Sequence, residues 1–360
     1  MRDSQRRGRW AAVPALLLAG ALLAGCGGGA AGGGTDAASG GEIPGITQEL
    51  IDAAQAEGGV VVYGGGHTRE TLELLQQRMQ DRFGLEVTFT REDSGNIANA
   101  ISSELASGRV NADVVSLTDP ATMQSWAQDG VITDSGVANR DTFVEGIDDP
   151  ATPQLPYSQI PLGIMYNSAN TDPATLPQTW TELATRDAGT IVTSDPSASG
   201  TALSFYAMLQ ELHGEQWMAN LAARQPIVTD SSLALPQLVL TGEAALGVPA
   251  IESAVTEAAT SGEPLAIAFP TDGVPVFTSE VAVLSDAPRP NAAALTVRYH
   301  VSEEFQTALT EIGGRSVLEG APAPPGAEDL SNRNLLTISV DEVAGTRDQL
   351  RATFDRLFGR

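Results

Sequence analysis

The stretch Gly58-Gly59-Val60-Val61-Val62-Tyr63-Gly64-Gly65-Gly66-His67-Thr68 decides how the rest of the chain is read. Its centre is a short continuous apolar run closed by glycines on both sides, the pattern of a buried strand. Thr68–Phe83 then places Leu72, Leu75, Met79 and Phe83 at helical spacing and stops at Gly84, where a helix favours glycine. Leu85–Thr90 alternates like a strand, and Asn96–Ser107 carries Ile97, Ile101 and Leu105 on one stripe before Gly108. Ala112–Ser116 reads as a third strand, and Thr122–Asp129 as a short helix ending at Gly130. This alternation predicts an α/β sandwich with parallel strands and a ligand crevice at their carboxyl ends.

Downstream, Asp148–Pro161 carries four prolines and Ile160–Asn167 reads as a strand, so this stretch is expected to cross into a second lobe. Helices are expected over Trp180–Thr185, Thr201–Leu212, Glu215–Ala223, Leu233–Leu240 and Val255–Ser261. Strands are expected over Thr190–Thr193, Ala244–Val248, Leu265–Phe269 and Val276–Leu284, the last two returning to the first lobe. A helix over Ser302–Ile312, a breaker at Gly320–Gly326 and a helix over Val340–Phe358 complete the chain. The expected division is residues 46–156 with about 270–320 as lobe 1 and 157–269 as lobe 2. Residues 321–360 form a C-terminal helical segment assigned to neither lobe.

Upstream, Met1–Trp10 carries four Arg, Ala11–Leu23 is apolar, and small residues lead to Cys26, the one cysteine in the chain. The order of basic, apolar and small segments is that of a secretory signal, here residues 1–25, with an apolar run too short for a comfortable span. Residues 26–45 are rich in Gly and Ala and are expected to form a flexible tether.

The 360 residues suffice for two domains or one large cleft protein. All 20 basic residues are Arg, against 45 acidic ones, for a net charge of −25. The balance excludes nucleic acid as a partner, because phosphate neutralisation needs basic clusters. Without Lys, Schiff-base, P-loop and kinase chemistry are excluded. One Cys excludes intrachain disulfides and thiolate zinc sites. There is no Gly-x-Ser-x-Gly and no HExxH, and His67, His213 and His300 are far apart in sequence, so no enzyme is expected.

The order of several short motifs resembles that of ABC-transporter extracellular solute-binding proteins. They are Val60–Tyr63 with its loop and helix, Ala112-Asp113-Val114-Val115, Trp126–Ile132, Ile164-Met165-Tyr166-Asn167, Leu176–Trp180, Asp195–Thr201 and Pro270–Pro275. Within that group the chain is similar to iron(III)-, phosphonate- and polyamine-binding members, over roughly residues 58–315. Leu22-Leu23-Ala24-Gly25-Cys26 resembles a lipobox, which implies lipidation of Cys26 and an exported protein anchored to the cell membrane. The resemblance implies an α/β, two-lobed type II periplasmic-binding-protein fold with a hinged interlobe cleft. It implies a monomer that passes a small solute to an ABC permease and needs no cofactor. In the iron-binding members an adjacent pair of tyrosines holds the metal. The comparable stretch here is Gly247-Val248-Pro249-Ala250-Ile251-Glu252, without tyrosine. A small anion such as a phosphonate, sugar phosphate or carboxylate is therefore expected ahead of ferric ion or a polyamine, and no metal ligand is assigned.

Asp195-Pro196-Ser197-Ala198-Ser199-Gly200-Thr201 links a strand to a helix whose first amides are unpaired within the helix. With the hydroxyls of Ser199 and Thr201 and the bare Gly200, this is the strongest anion candidate. Ser197 belongs to the same loop. Gly65, His67 and Thr68 follow the first strand, Ser94 and Asn96 the second, and Thr118 the third. Tyr157 in the crossover and Asp230 and Ser231 before a second-lobe helix complete the candidate contacts. Each Ser, Thr, Asn or Asp also suits a helix cap.

Overall fold

The computed structural model describes residues 41–360. The signal peptide expected over 1–25, Cys26 and residues 27–40 lie outside the described residues. The first half alternates α1 (Gln48–Glu57), β1 (Val60–Gly64), α2 (Arg69–Phe83), β2 (Val87–Arg91), α3 (Ser94–Ser107), β3 (Val114–Leu117), α4 (Pro120–Gln128) and β4 (Ile132–Thr133). A long strand, β5 (Leu155–Asn167), leads to α5 (Trp180–Thr185), β6 (Ile191–Ser194), α6 (Gly200–His213), α7 (Glu215–Ala223) and β7 (Ile227–Thr229). Then come α8 (Leu235–Leu240), β8 (Leu246–Ile251), α9 (Glu252–Thr260), β9 (Leu265–Ala268) and β10 (Val274–Leu284). The chain ends with α10 (Pro290–His300), α11 (Glu303–Glu311), β11 (Leu335–Leu336) and α12 (Val340–Phe358).

The expected parallel pairing is present: β1 lies between β2 and β3, parallel to both. In the second lobe β6 runs parallel to β7 and β8. The two sets join through antiparallel β5 and β10, in the order β2-β1-β3-β10-β5-β8-β6-β7. These two long strands carry the chain between the lobes. Among the described residues no helix is long and apolar enough to cross a membrane.

Each lobe has its own core. Leu72, Leu75, Met79, Tyr299 and Phe305 anchor the first. Trp180, Phe205, Tyr206, Trp217 and Phe354 anchor the second. Trp180 is fully buried and donates from Nε1 to Gly273 O at 2.9 Å, so the indole is satisfied where it is driest. The C-terminal helix α12 packs on α4 as well as on α6 and α7, so it touches both lobes.

Several elements differ from expectation for local reasons. The strand after the proline-rich segment begins at Leu155 and runs through Pro156 and Pro161. Pro156 faces Glu280 beside a register shift in β10, a place where a missing N–H costs no ladder bond. Helix α3 starts two residues early, at Ser94, because Asp93 takes the N-cap position. Helix α10 was not foreseen in the sequence, although Pro290 stands at its first turn and Asn291-Ala292-Ala293-Ala294-Leu295 follows.

Candidate functional site

The carboxyl ends of β1, β2 and β3 and the start of α6 meet at a cavity of about 370 Å³ between the lobes. Gly65, Gly66, His67, Thr68, Arg91 and Thr118 line it from the first lobe. Thr201, Ser232, Met165, Ile251 and Glu257 line it from the second. A larger groove of about 760 Å³ runs beside α11 and the 318–325 loop, away from the strand ends.

Of the residues expected at the site, Gly65, His67, Thr68, Thr118 and Thr201 border this cavity. The others support it or lie at its rim. Ser94 Oγ donates to Gly65 O at 2.9 Å and accepts from Thr118 N at 2.9 Å, tying the loops after β1 and β3 together. Asn96 is exposed in the first turn of α3. Ser199 caps α6 by accepting from Ala202 N at 3.1 Å, and Ser197 is exposed with its amide on Asp195 Oδ1. Asp230 is exposed and paired with Arg360. Ser231 Oγ donates to Asp93 Oδ2 at 2.5 Å. Tyr157 lies beneath the cavity, stacked on the His67 ring at 4.4 Å between centroids.

The glycines serve lobe packing. A side chain at Gly65 would meet Ser116 O and Ser94 Cα at 2.9 Å, and its own amide is already bonded to Ser116 O. A Cβ at Gly200 would lie 2.8 Å from Asp119 N in the opposite lobe, and one at Gly95 would lie 2.7 Å from Ala198 O. Gly95 N donates to Ala198 O at 3.0 Å, Ser232 N to Asp93 Oδ1 at 3.3 Å, and Thr201 Oγ1 to Thr118 Oγ1 at 3.3 Å. The lobes are closed on each other along this edge.

Under the cavity the hydrogen bonds fix two tautomers. His300 Nδ1 lies 3.0 Å from Thr296 O, which only accepts, so Nδ1 carries the proton. His300 Nε2 then accepts from His67 Nε2 at 3.0 Å, and His67 Nδ1 accepts from Ser116 Oγ at 2.6 Å. Burial holds His67 well below the usual histidine range, helped by His300 and Arg91, and burial brings His300 down to about 4. Both rings are neutral and fully committed.

The charged groups of the cavity were missed in the sequence. Arg91, the last residue of β2, donates from Nε to His67 O at 3.0 Å. Among the described residues its side chain has no other hydrogen bond or ion pair, so both Nη groups are left for a ligand. Burial lowers its basicity, and Glu257 works against that. Its position at a strand end was a usable signal, since that is where the crevice lies. Glu70 of α2 and Glu257 of α9 line the cavity from opposite lobes. Burial first, then Glu70, pushes Glu257 up to about 8. Glu257 sits within a helix and has no local signal that separates it from a solvated face.

Of the residues whose chemistry could stand in for a tyrosine pair at iron, Glu252 and His67 are engaged elsewhere, whereas the buried Tyr157 hydroxyl has no hydrogen-bond partner among the described residues. Glu252 forms a two-point pair with Arg315, at 2.5 and 2.9 Å. Both His67 nitrogens are taken, and burial raises the Tyr157 phenol far above its ordinary range. Among the described residues no group of three or more His, Cys, Asp or Glu is placed to hold a metal ion.

Comparison with solved structures gives the same fold. The chain is similar to the periplasmic binding protein AfuA from Actinobacillus pleuropneumoniae with fructose-6-phosphate bound, with a TM-score of 0.73 at 21% identity, covering 84% of this chain and 98% of that one. Iron-bound HitA from Pseudomonas aeruginosa superposes with a TM-score of 0.69 at 19% identity, over 83% and 98%. A periplasmic thiamin binding protein does so with 0.71 at 20%, over 84% and 96%. No curated protein matches the chain. The type II periplasmic-binding-protein architecture expected from the motif order is thereby established. The model of the bacterial extracellular solute-binding protein family matches residues 60–315, and the chain belongs to that family, the solute-binding components of ABC importers.

Proposed function

We propose that the protein captures a small anionic solute (a phosphonate, sugar phosphate or carboxylate) between its lobes and hands it unaltered to a membrane permease. The observation that carries this reading is Arg91, with two Nη groups free beside the hydroxyls of Thr68, Thr118 and Thr201. A guanidinium in a partly dry cavity binds a phosphate or carboxylate by paired, charge-assisted hydrogen bonds. The likeness to a sugar-phosphate-bound neighbour agrees with it. Contacts from both lobes stabilise the closed state by no more than the ligand's differential affinity. On the same reading the protein is exported, lipidated at Cys26 and monomeric, with lobe 1 as 46–156 plus about 270–320 and lobe 2 as 157–269.

A second reading has its own observation. Glu70 and Glu257, acidic residues lining the cavity from opposite lobes, favour a ligand that also carries an ammonium group, or a polyamine. Ferric ion, the other alternative, lacks the adjacent pair of tyrosines at Gly247–Glu252. Titration calorimetry with ethylphosphonate, 2-aminoethylphosphonate, fructose 6-phosphate, putrescine and ferric citrate separates these ligands. Arg91→Gln is expected to weaken phosphonate binding by on the order of 1.5–3 kcal/mol. Unchanged phosphonate binding in that variant sinks the anion reading. Tight putrescine binding lost in Glu257→Gln establishes the cationic one.

A further inference from the structure

A second cavity lies on the other side of the hinge strands. It encloses about 510 Å³ between α4, the start of α12, the 144–152 loop and β10, and it shares no lining residue with the interlobe cavity. Adjacent residues of β10 divide the two: Ser279 Oγ donates to Gly66 O at the cleft, while Glu280 borders the rear cavity. The charged lining consists of Glu145, Asp148, Asp149, Glu280 and Asp341, with no basic side chain. In so acidic a chain, exposed carboxylates alone mean only a solvated face.

Two buried groups depart from that. Glu280 is 8% exposed and Gln154 6%, and both line the cavity. Glu280 Oε2 and Gln154 Oε1 have no hydrogen-bond partner among the described residues. Each is an acceptor taken out of water without a donor, a costly state. The nearby cations are spent elsewhere: Arg140 holds Asp148, and Arg347 holds Asp119 at the cap of α4. The apolar walls, including Ile147, Phe277 and Ile338, suit a short hydrocarbon body.

We propose that this rear cavity is a binding site for a small organic cation, an alkylammonium or alkylguanidinium, with Glu280 as counter-ion and Gln154 Oε1 as second acceptor. Such a ligand supplies donors to the two acceptors and brings a positive charge to a lining without a basic side chain. The charges acting on Glu280 are those of Asp119 at the cap of α4 and of Asp148, and Glu145, Asp149 and Asp341 line the same cavity. Burial, then Asp119 and Asp148, pushes the Glu280 carboxyl up to about 8. At pH 7 the empty site holds a proton, which passes to buffer as the carboxylate pairs with the incoming cation.

The test is calorimetry of the exported chain with n-butylammonium and n-butylguanidinium at pH 7, in two buffers of different ionisation enthalpy. Saturable binding with a buffer-dependent heat is expected. Glu280→Gln, which keeps the shape of the protonated acid, is expected to lose at least tenfold in affinity and the buffer dependence with it. Gln154→Met is expected to weaken binding severalfold without removing the proton release. Glu257→Gln in the cleft should leave binding as it is. Absence of saturable binding, full binding in Glu280→Gln, or loss in Glu257→Gln instead overturns the proposal.

Discussion

Gly95→Ala separates lobe closure from folding. Gly95 lies in the first turn of α3, where alanine is a better helix former than glycine by up to about 1 kcal/mol. The first lobe alone should therefore keep or gain stability. In the closed form, however, the new methyl would lie 2.7 Å from Ala198 O and 3.0 Å from Ser197 O, backbone atoms of the opposite lobe that cannot rotate away. Overpacking of this kind costs about 1–3 kcal/mol. The Gly95–Ala198 hydrogen bond, worth about 1 kcal/mol, is lost with it. Together the closed, liganded state should weaken by about 2–4 kcal/mol, roughly a 30- to 700-fold rise in Kd. Calorimetry with the tightest-binding probe of the solute screen measures the affinity, and a urea melt of the ligand-free protein measures the fold. Affinity within threefold of wild type would refute the closure geometry, and so would a large loss of unfolding stability.

The two buried histidines make a pH-dependent contribution. Their folded pKa values are depressed, so the unfolded chain binds protons first as pH falls. Their stabilisation is complete above about 6.5 and declines as pH falls toward about 4. Glu257 and Glu280 act oppositely between their ordinary range and about 8, so the difference between wild type and His300→Gln is the quantity to follow. Urea midpoints should converge between pH 7 and pH 4.5, and a constant gap contradicts the neutral pair. Arg315→Met leaves Glu252 buried without its partner and should cost about 3–5 kcal/mol in denaturant unfolding, whereas Arg315→Met with Glu252→Leu should recover much of that loss. Equal losses in the single and double variants would contradict this.

The architecture was legible because it rests on local patterns. Val60–Tyr63 and the Leu72, Leu75, Met79, Phe83 stripe announce a strand and an amphipathic helix without tertiary knowledge. The site was legible only in part. The loops after β1, β2 and β3 were placed from strand ends, but a Ser or Thr there caps a helix and can touch a ligand equally well. Ser199 is the plainest case, since it caps α6 and also meets Ser232. Arg91 was overlooked although it ends a strand. His67 and His300 meet across 233 residues of sequence, and Glu70 and Glu257 share a cavity although they come from different lobes, so no local pattern points to either pair.

The most direct measurement is a crystal structure of the protein with the solute that binds tightest in calorimetry. The expected result is one unaltered molecule in the 370 Å³ cavity, its anionic group on Arg91 and its far side on second-lobe residues such as Thr201 or Glu257. A solute lodged outside that cavity, or touching one lobe only while the lobes stay as they are, contradicts the account.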